Sequence, residues 1–418
     1  MIASHREVVV TGVGAVTASG TTAAALWNSV VEGRSGMSVL PDSLTTGMAV
    51  SVGGVIAGFP EPPDLPASLA RHLSPVQRWA ITAADEALTD AGWDRSRGAS
   101  PWEPYRVSII VATGSGPVDA MLRAGSAFEA GGPRKVPPGL VVFGTADAAA
   151  GILSQRYGFR GATHAVTAAC ASGAVGIGEG LRRIRHGYAD AVLVVGMEDC
   201  LNSVHLAANT NLRALATGYA DDPSSASRPF DRSRSGFVMA QGVGAVLLEA
   251  ADTAVRRGAV PQATVAGFGE TTDAHHPTAP HPDGQGAAAA IRACLADAHT
   301  SAAQVDHVNT HGTGTPLGDR AEIAALAHAL GERAHRVPLT ATKSSTGHLL
   351  GASGVIEAIL AVLTLRDQTL PPTLNLTDPE FDDWVFVRDR PQAVAVETVL
   401  SNSFGFSGHN AALLFTSR

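Results

Sequence analysis

The chain is poor in cysteine, and this scarcity limits the chemistry open to it. Its 418 residues contain three cysteines, Cys170, Cys200 and Cys294, which lie too far apart for a CxxC metal or redox motif. An odd cysteine count without a secretion signal is typical of a protein that folds in a reducing compartment. We therefore expect a soluble, cytoplasmic protein.

Charged residues are also few. They make up 16% of the chain, whereas hydrophobic residues make up 45%, so the chain can bury a sizeable core and is not disordered. No apolar stretch approaches the roughly 18 residues that a membrane-spanning helix needs. The first residues resemble neither a secretion signal nor a membrane anchor. We expect neither a membrane nor a nucleic acid among the partners of the chain.

Lysine is nearly absent. Two of the 30 basic residues are lysines, Lys135 and Lys343, and the rest are arginines. With so few residues their positions could be coincidental. A compact ammonium is not interchangeable with a planar guanidinium, however, so a site that needs a point charge would keep its lysine. Because Lys343 lies beside a candidate catalytic loop, we interpret it as functional.

The order of the predicted elements indicates an α/β fold with two halves. Strand-like runs at 8–10, 107–112, 191–195 and 243–248 alternate with helical stretches, among them a helix at 78–91 that stops at Gly92. A charged segment rich in Pro and Gly at 252–262 joins this half to a second one. Both halves begin with a strand-like run that ends in Gly-x-Gly, which hints at duplication.

Cys170 lies in the motif TAACASG at 167–173, where an extended segment (162–166) turns into a helix predicted for 173–186. Basic residues in the last turn of that helix suit the negative end of its dipole. The positive end then lies at Cys170, where the dipole and unpaired N–H groups lower a thiol pKa and favour the thiolate. The alternative is a cysteine that is simply a small buried hydrophobe.

Two distant histidine motifs favour the catalytic interpretation of this cysteine. His311 ends a strand-like run in VNTHGTGTPLGD (308–319), and His348 follows another such run in ATKSSTGHLLGA (341–352). Asp319 and Glu322 have the spacing of a capping box at the start of a helix. A second, apolar helix is predicted for 353–366. A cysteine at a helix start with two histidines at strand ends is a plausible nucleophile and acid/base set.

Two other interpretations have weaker support. GVGAVT at 12–17 begins like a dinucleotide-binding fingerprint, but its sixth position is Thr17, and a turn after the first strand explains the glycines as well. The histidines at 275, 276 and 281 do not have the spacing of a zinc site. We therefore expect no metal, nucleotide or redox cofactor.

At these motifs the chain resembles the β-ketoacyl-[acyl-carrier-protein] synthases, the elongating condensing enzymes of the thiolase superfamily. The resemblance extends from VVVTGVG (8–14) through RPFD (228–231) to NSFGFSGHN (402–410), in the order of the family. It implies the thiolase fold, a five-layer αβαβα sandwich of two similar halves. Residues 1–258 would form the half with the nucleophilic cysteine, and residues 259–418 the half with the two catalytic histidines.

The resemblance also implies roles for individual residues. Cys170 would carry the acyl group, with the backbone N–H groups of Cys170 and Phe406 as its oxyanion hole, and Phe406 would also act as a gate. His311 and His348 would stabilise the enolate left by malonyl decarboxylation. The remaining implied positions are a catalytic Lys343, a supporting network of Asp319, Glu322 and Glu357, and substrate-binding Thr313, Thr315 and Phe404.

The same comparison separates this chain from related condensing enzymes. Biosynthetic thiolases have a second cysteine in the C-terminal glycine loop, which is absent from 403–408 here, and initiating enzymes pair Cys and His with an asparagine where this chain has His348. Ser235 and Gln241 replace residues that are commonly acidic in fatty-acid enzymes. With the polyketide-like HGTGT at 311–315, they favour a type II polyketide system over housekeeping fatty-acid elongation. A silent chain-length-factor subunit is the weakest alternative, because such subunits lose the nucleophile.

The resemblance implies two kinds of partner. The first is acyl carrier protein, loaded with acyl or malonyl groups. Since the chain has a net charge of −8, an acidic carrier protein needs a local basic patch, for which Arg71, Arg134, Lys135 and Arg213 are the candidates. Ordinary solvated surface charges are the alternative for each. The second partner is another ketosynthase-fold subunit, either a chain-length factor in a heterodimer or a second copy in a homodimer.

Overall fold

The computed structural model of the chain describes residues 6–59 and 61–418. Residues 1–5, which begin the segment expected to be neither a secretion signal nor an anchor, lie outside the described residues. In the part of the chain that the structure describes, no helix is both long enough and apolar enough to cross a membrane.

The described residues form a mixed α/β structure. The strands are β1 (Val8–Thr17), β2 (Ser38–Val39), β3 (Val52–Gly53), β4 (Val107–Ala112), β5 (Thr163–Val166), β6 (Ala191–Glu198), β7 (Gly242–Ala250), β8 (Ala263–Thr272), β9 (His307–Asn309), β10 (Leu339–Thr340), β11 (Thr369–Leu370), β12 (Gln392–Ala393), β13 (Thr398–Gly405) and β14 (His409–Thr416). The α-helices are α1 (Ala23–Val31), α2 (Asp42–Thr45), α3 (Ala67–Ala70), α4 (Pro75–Asp90), α5 (Val118–Gly131), α6 (Leu140–Phe143), α7 (Ala148–Tyr157), α8 (Ser172–Arg185), α9 (Ser203–Asn211), α10 (Ala251–Arg256), α11 (Gln285–Asp297), α12 (Pro316–Leu330), α13 (Lys343–Thr346) and α14 (Ser353–Asp367).

Three helices predicted from the sequence are confirmed within a few residues. The helix predicted for 173–186 is α8, the helix predicted for 353–366 is α14, and the helix expected to stop at Gly92 is α4. Gly92 has a φ of +86°, a left-handed conformation that favours glycine after a helix. Local sequence signals were sufficient here, because α4 has apolar residues at helical spacing, α8 has basic residues in its last turn, and α14 is a long apolar run.

The main sheet repeats one strand arrangement twice. Its order is β5-β4-β6-β7-β1 in the first half and β10-β9-β13-β14-β8 in the second. In both halves the first three strands run parallel to one another. Each of the last two strands pairs antiparallel with the strand before it in this order. The halves join at β1 and β8, where Val9 pairs with Thr264 and Val10 pairs with Ala263. This correspondence agrees with the duplication at which the two Gly-x-Gly runs hint.

Helices lie in three layers around the two half-sheets. The central helices α8 and α14 each contact strands of both halves, whereas α4 packs on β1, β6 and β7, and α11 packs on β8, β14 and α12. Every residue from Ser353 to Leu365 in α14 is buried, as expected for a helix enclosed on all sides. The layer order is therefore αβαβα.

Glycines inside β1 and β8 allow an outer helix to pack directly on each strand. A Cβ added to Gly14 would lie 2.1 Å from the carbonyl oxygen of Ala83 in α4, and one added to Gly269 would lie 2.0 Å from that of Ala290 in α11. The interpretation of the first Gly-x-Gly pair as a turn is therefore wrong. The glycines are needed for close approach of a helix backbone and not for a change of chain direction.

The two central helices meet at their N-terminal ends through a pair of glycines. A Cβ on Gly173 would lie 2.6 Å from the backbone nitrogen of Val355, and one on Gly354 would lie 2.4 Å from that of Ala174. Because backbone atoms cannot yield as a flexible side chain can, this contact requires glycine on both helices. It brings together the loops that carry Cys170 and His348.

We predict that Gly173→Ala lowers the free energy of unfolding by about 1–3 kcal/mol, because the added methyl group forces α8 and α14 apart. Urea unfolding measures the change. The matched control is Gly151→Ala in α7, where an added Cβ meets nothing within 4 Å. Equal stability of the two variants would contradict the requirement for glycine at the helix contact.

Candidate active site

Cys170 lies on a tight turn between β5 and α8. Ala169 has a φ of +49°, which is uncommon for a residue with a side chain and which turns the chain sharply before the cysteine. The Ser172 hydroxyl closes this turn, because it accepts from Ala168 N at 2.8 Å and donates to Ala169 O at 2.6 Å. The strain at Ala169 is thus held by local hydrogen bonds next to the candidate nucleophile.

The thiol of Cys170 is buried among groups that come from the C-terminal half. The residue is 8% exposed, and its Sγ lies 3.2 Å from His348 Nε2. The backbone N–H of Phe406 donates to the sulfur, and a Cβ on Gly405 would lie 2.9 Å from Cys170 N. The glycine loop after β13 therefore approaches the cysteine as closely as the backbone allows.

Burial sets the protonation state of Cys170. It raises the pKa of the thiol to about 12, and the positive charge of Lys343 and the Phe406 N–H only partly oppose this effect. The expectation of a lowered thiol pKa is therefore wrong. Desolvation is the largest effect on this thiol, and the helix begins only at Ser172, two residues after the cysteine.

His348 lies between the thiol and the start of α14. Its Nδ1 is 3.0 Å from the hydroxyl oxygen of Ser353, and its ring contacts the edge of Phe237 at 5.1 Å between centroids. Burial, with the nearby charge of Lys343, lowers the pKa of His348 well below its usual value. The imidazole is therefore neutral at physiological pH.

His311 follows β9, and its ring lies 5.4 Å from the ring of His348. Lys343 Nζ donates to His311 O at 2.6 Å and lies 3.4 Å from His311 Nδ1. Burial, followed by the charge of Lys343, lowers the pKa of His311 well below its usual value. The site therefore contains two neutral imidazoles beside one thiol.

A buried ion pair supports the histidines. Lys343 and Glu357 are 1% and 2% exposed, and the ammonium donates to the carboxylate. Burial raises the pKa of Glu357 to about 7, and the attraction of Lys343 opposes the rise. Such a pair is costly to separate, so it holds Lys343 firmly against His311.

Two buried carboxylates hold the loop that carries His311. Glu322 accepts from His311 N and Gly312 N, each at 2.8 Å, and Asp319 accepts from Gly314 N at 3.1 Å and from Phe230 N at 2.8 Å. Burial raises the pKa of Asp319 to about 7, although the nearby Arg234 opposes the rise.

The expectation that Asp319 and Glu322 form a capping box is wrong. Helix α12 begins at Pro316, with Thr315 as its N-cap, so both acids lie beyond the capping position. Proline is well suited to the first helical position, which explains the earlier start. The acids point back to the preceding loop and not to the helix end.

The thiol and both imidazoles face one cavity of about 350 Å³. Thr313 and Thr315 line it with their hydroxyl oxygens 2.9 Å apart, and Phe404 lines it with its ring 5.8 Å from that of His311. The lining also includes Phe406, Arg213, Ser235, Phe237, His281 and Leu317. The substrate-binding positions expected from the sequence therefore lie on the same cavity as the catalytic ones.

The candidate docking residues lie in different places. Arg213 is exposed, has a φ of +55° and lines the cavity. Arg71, Arg134 and Lys135 are also exposed, but none of them lines the cavity within this chain. Only Arg213 is thus placed at the cavity by the fold of a single subunit.

Sequence reasoning missed two residues that hold the site together. Ser353 hydrogen-bonds to His348. The sequence feature that could have identified it is its position as the first residue of the predicted apolar helix. Glu198 is fully buried and accepts from Gly114 N at 2.6 Å and Gly351 N at 3.0 Å. The sequence feature that could have identified Glu198 is its place as a lone acid at the end of an otherwise apolar strand.

A buried arginine was missed as well. Arg234 Nε lies 3.0 Å from the Asp319 carboxylate, and its side chain is 1% exposed. The other two cysteines, Cys200 and Cys294, are free and buried, and burial raises the pKa of each thiol. Neither of them lines the cavity with the histidines.

Comparison with known protein families gives two adjacent matches. The Beta-ketoacyl synthase N-terminal domain matches residues 5–254, and the Beta-ketoacyl synthase C-terminal domain matches residues 262–377. Two curated relatives are similar over nearly their whole length. A 3-oxoacyl-[acyl-carrier-protein] synthase 2 of Vibrio harveyi is 38% identical over 414 residues, 99% of both chains. One of Synechocystis sp. is 35% identical over 411 residues, 98% of both chains.

Solved structures give the same result. A type II polyketide ketosynthase, described with its acyl-carrier protein and bound to the hexaketide, superposes with a TM-score of 0.91 at 27% identity, covering 99% of this chain and 100% of that one. A β-ketoacyl synthase from Burkholderia phymatum gives 0.90 at 30% identity with the same coverage. The ishigamide ketosynthase/chain length factor gives 0.89 at 29% identity, again with that coverage.

The doubled α/β architecture and these whole-length matches agree with the fold expected from the resemblance. The chain belongs to the β-ketoacyl synthase family, and it is a condensing acyltransferase with the thiolase-like ketosynthase fold.

Proposed function

We propose that the chain catalyses decarboxylative Claisen condensation between an acyl group held on Cys170 and malonyl-acyl-carrier protein, in a type II polyketide system. The observation that carries this proposal is the arrangement of Cys170 Sγ, 3.2 Å from His348 Nε2, with His311 adjacent on the same cavity. In this proposal residues 1–258 supply the nucleophile and residues 259–418 supply the histidines.

The first step is transfer of an acyl group to Cys170. Its sulfur attacks the thioester carbonyl of the acyl-carrier protein, the new carbon–sulfur bond replaces the old one, and the proton of the thiol ends on the sulfur of the departing carrier. The oxyanion of the tetrahedral intermediate would be held by the backbone N–H groups of Cys170 and Phe406. A Cβ on Gly405 would lie 2.9 Å from Cys170 N, so the residue before Phe406 packs against one of the two proposed donors, which supports this role.

The second step is decarboxylation of the malonyl thioester. The carbon–carbon bond to the carboxylate breaks, carbon dioxide leaves, and its electron pair forms an enolate on the thioester oxygen. The enolate carbon then attacks the acyl carbonyl on Cys170, and the cysteine sulfur leaves as a thiolate, which takes up a proton from water. His311 and His348, as neutral donors, would stabilise the negative oxygen of the enolate before its carbon attacks.

The buried charges would act by orienting these donors. Lys343 contacts His311 at both its carbonyl oxygen and Nδ1, and Glu357 holds the ammonium in place. Glu322 and Asp319 fix the loop around His311. In this role the charged groups do not exchange protons with the substrate.

The cavity suits a pantetheine arm that enters past Arg213. Thr313 and Thr315 offer paired hydroxyls to its amides, Phe404 offers an apolar face, and Phe406 would gate access to the thiol. Arg213 at the cavity would meet the acidic carrier protein. Arg71, Arg134 and Lys135 would extend that basic surface in the assembled enzyme.

Two positions support the polyketide assignment. Ser235 lines the cavity with a neutral side chain. Gln241 donates to Asp199 at 2.9 Å and accepts from Ile56 N at 3.1 Å. A charged acid at position 241 could accept from Ile56 N but could not donate to Asp199. Burial raises the pKa of Asp199 to about 6, so a second carboxylate there would be disfavoured. The alternative is housekeeping fatty-acid elongation, which the similarity to the 3-oxoacyl-[acyl-carrier-protein] synthase 2 relatives favours.

An exposed sheet edge supports pairing with a second ketosynthase-fold subunit. Within the described residues β5 ends the main sheet, and its Thr163 and His164 are exposed. An uncovered edge strand is a template for pairing with another chain. We propose a heterodimer with a chain-length factor, and a homodimer is the arrangement expected of the fatty-acid alternative.

We predict that Cys170→Ala abolishes acyl loading and condensation, because alanine has no sulfur nucleophile. Intact-protein mass after incubation with acyl-carrier protein measures loading. Acylation of Cys200 or Cys294 in the variant would exclude Cys170 as the nucleophile.

In the unmodified chain, the rate of Cys170 alkylation by iodoacetamide should rise about tenfold per pH unit between pH 7 and 9, since the raised pKa leaves the thiol mostly protonated.

We predict that His311→Ala and His348→Ala each slow malonyl decarboxylation by about 10²–10³-fold, since each removes a donor to the enolate oxygen. Release of labelled carbon dioxide from malonyl-carrier protein measures the step. Acyl transfer to Cys170 should be reduced less and serves as the control for folding. Normal carbon dioxide release by both variants would rule out the proposed role.

We predict that the chain is fully active only with a second, cysteine-free ketosynthase-fold subunit. Light scattering and condensation assays of the chain alone, and after co-expression with such a subunit, measure mass and activity together. A fully active homodimer of this chain would support the fatty-acid alternative instead. An active monomer would contradict both assignments.

A further inference from the structure

The hydroxyl of Ser353 lies between a backbone donor and His348. Ser353 is the first residue of α14 and is 1% exposed. Its Oγ accepts from Leu349 N at 3.0 Å and lies 3.0 Å from His348 Nδ1. The other ring nitrogen, Nε2, lies 3.2 Å from Cys170 Sγ.

These contacts determine where the hydroxyl hydrogen goes. The N–H of Leu349 can only donate, so it takes up an acceptor site on Ser353 Oγ and leaves the hydrogen of the hydroxyl to find its own acceptor. If His348 carried its proton on Nδ1, that nitrogen would also donate to Oγ, and a buried hydroxyl hydrogen would have no acceptor. Leaving a buried donor unsatisfied is costly, so the hydroxyl donates to an unprotonated Nδ1.

We propose that Ser353 is a positioning residue that fixes His348 as the neutral tautomer with its proton on Nε2. In this tautomer the Nε2–H group points at the sulfur of Cys170 and into the cavity. His348 then acts as a hydrogen-bond donor and not as the base that deprotonates the thiol. The consequence for catalysis rests on the proposed function, because it assigns the Nε2–H group to the enolate oxygen.

His311 shows the same arrangement with a different partner. Lys343 Nζ, an obligatory donor, lies 3.4 Å from His311 Nδ1, which therefore also accepts. Both imidazoles thus present Nε2–H, one oriented by an ammonium and the other by a hydroxyl. The hydroxyl adds no charge beside the Cys170 thiol, whereas a second buried cation there would lose its hydration.

The test reads the tautomer directly. Long-range ¹H–¹⁵N correlation spectra of the full chain labelled with ¹⁵N-histidine distinguish Nδ1–H, Nε2–H and the cation. The chain has 15 histidines, so the signals of His348 are identified by their loss in His348→Asn. We expect Nε2–H in the unmodified protein at pH 7, and a mixture of tautomers in Ser353→Ala.

Two further variants separate the hydroxyl from the fold. Ser353→Thr keeps a hydroxyl and should retain the Nε2–H tautomer. Ser403→Ala removes another buried hydroxyl, which has no hydrogen-bond partner among the described residues and which lies 3.1 Å from where a Cβ on Gly354 would be. This control should leave the signals of His348 unchanged.

In activity, Ser353→Ala should lower the rate of malonyl decarboxylation about tenfold, the effect of one lost hydrogen bond, with acyl loading of Cys170 nearly unchanged. An Nδ1–H tautomer or a cationic His348 in the unmodified protein would overturn the proposal, and so would an unchanged tautomer in Ser353→Ala. If the tautomer shifts as expected but no condensation occurs even in the unmodified chain, the proposed function fails while the role of Ser353 stands.

Discussion

The contact between Gly173 and Gly354 is the constraint on which the site depends. It allows the N-terminal ends of α8 and α14 to touch at backbone distance. Each helix carries a reactive residue just before its start, Cys170 on one side and His348 on the other. Because the helices belong to different halves of the chain, no local geometry could align these residues. Their separation of 3.2 Å follows from the packing of the central layer.

Buried carboxylates hold the loops of the site in place. Glu322, Asp319 and Glu198 each accept two or more backbone N–H groups from loops that have no regular hydrogen bonding of their own. Desolvation raises the pKa of all three acids, and these hydrogen bonds offset part of that cost. The carboxylates thus replace secondary structure in the loops around the cysteine and the histidines.

The sequence was most reliable where a feature is local. Helix α8 is indicated by the basic residues of its last turn and α14 by its apolar run, and the candidate nucleophile and histidines follow from motifs at strand ends. The sequence was less reliable where a residue contacts a second element that is distant in the chain. Asp319 has capping-box spacing, but it bonds to Gly314 N and Phe230 N, and the latter comes from the first half of the chain. Gly14 has turn-like neighbours, but the backbone of α4 is what requires it.

By itself the sequence determined the α/β class and the identity of Cys170, His311 and His348 as candidates, and it hinted at duplication, because periodicity and short motifs are properties of neighbouring residues. Only the tertiary structure decided the protonation of that thiol, the partner of each histidine and the role of Ser353. Those properties depend on burial and on contacts between residues far apart in the chain. Desolvation in particular arises only when both halves close around the sulfur, and it raises the pKa of Cys170, whereas the local helix signal predicted a decrease.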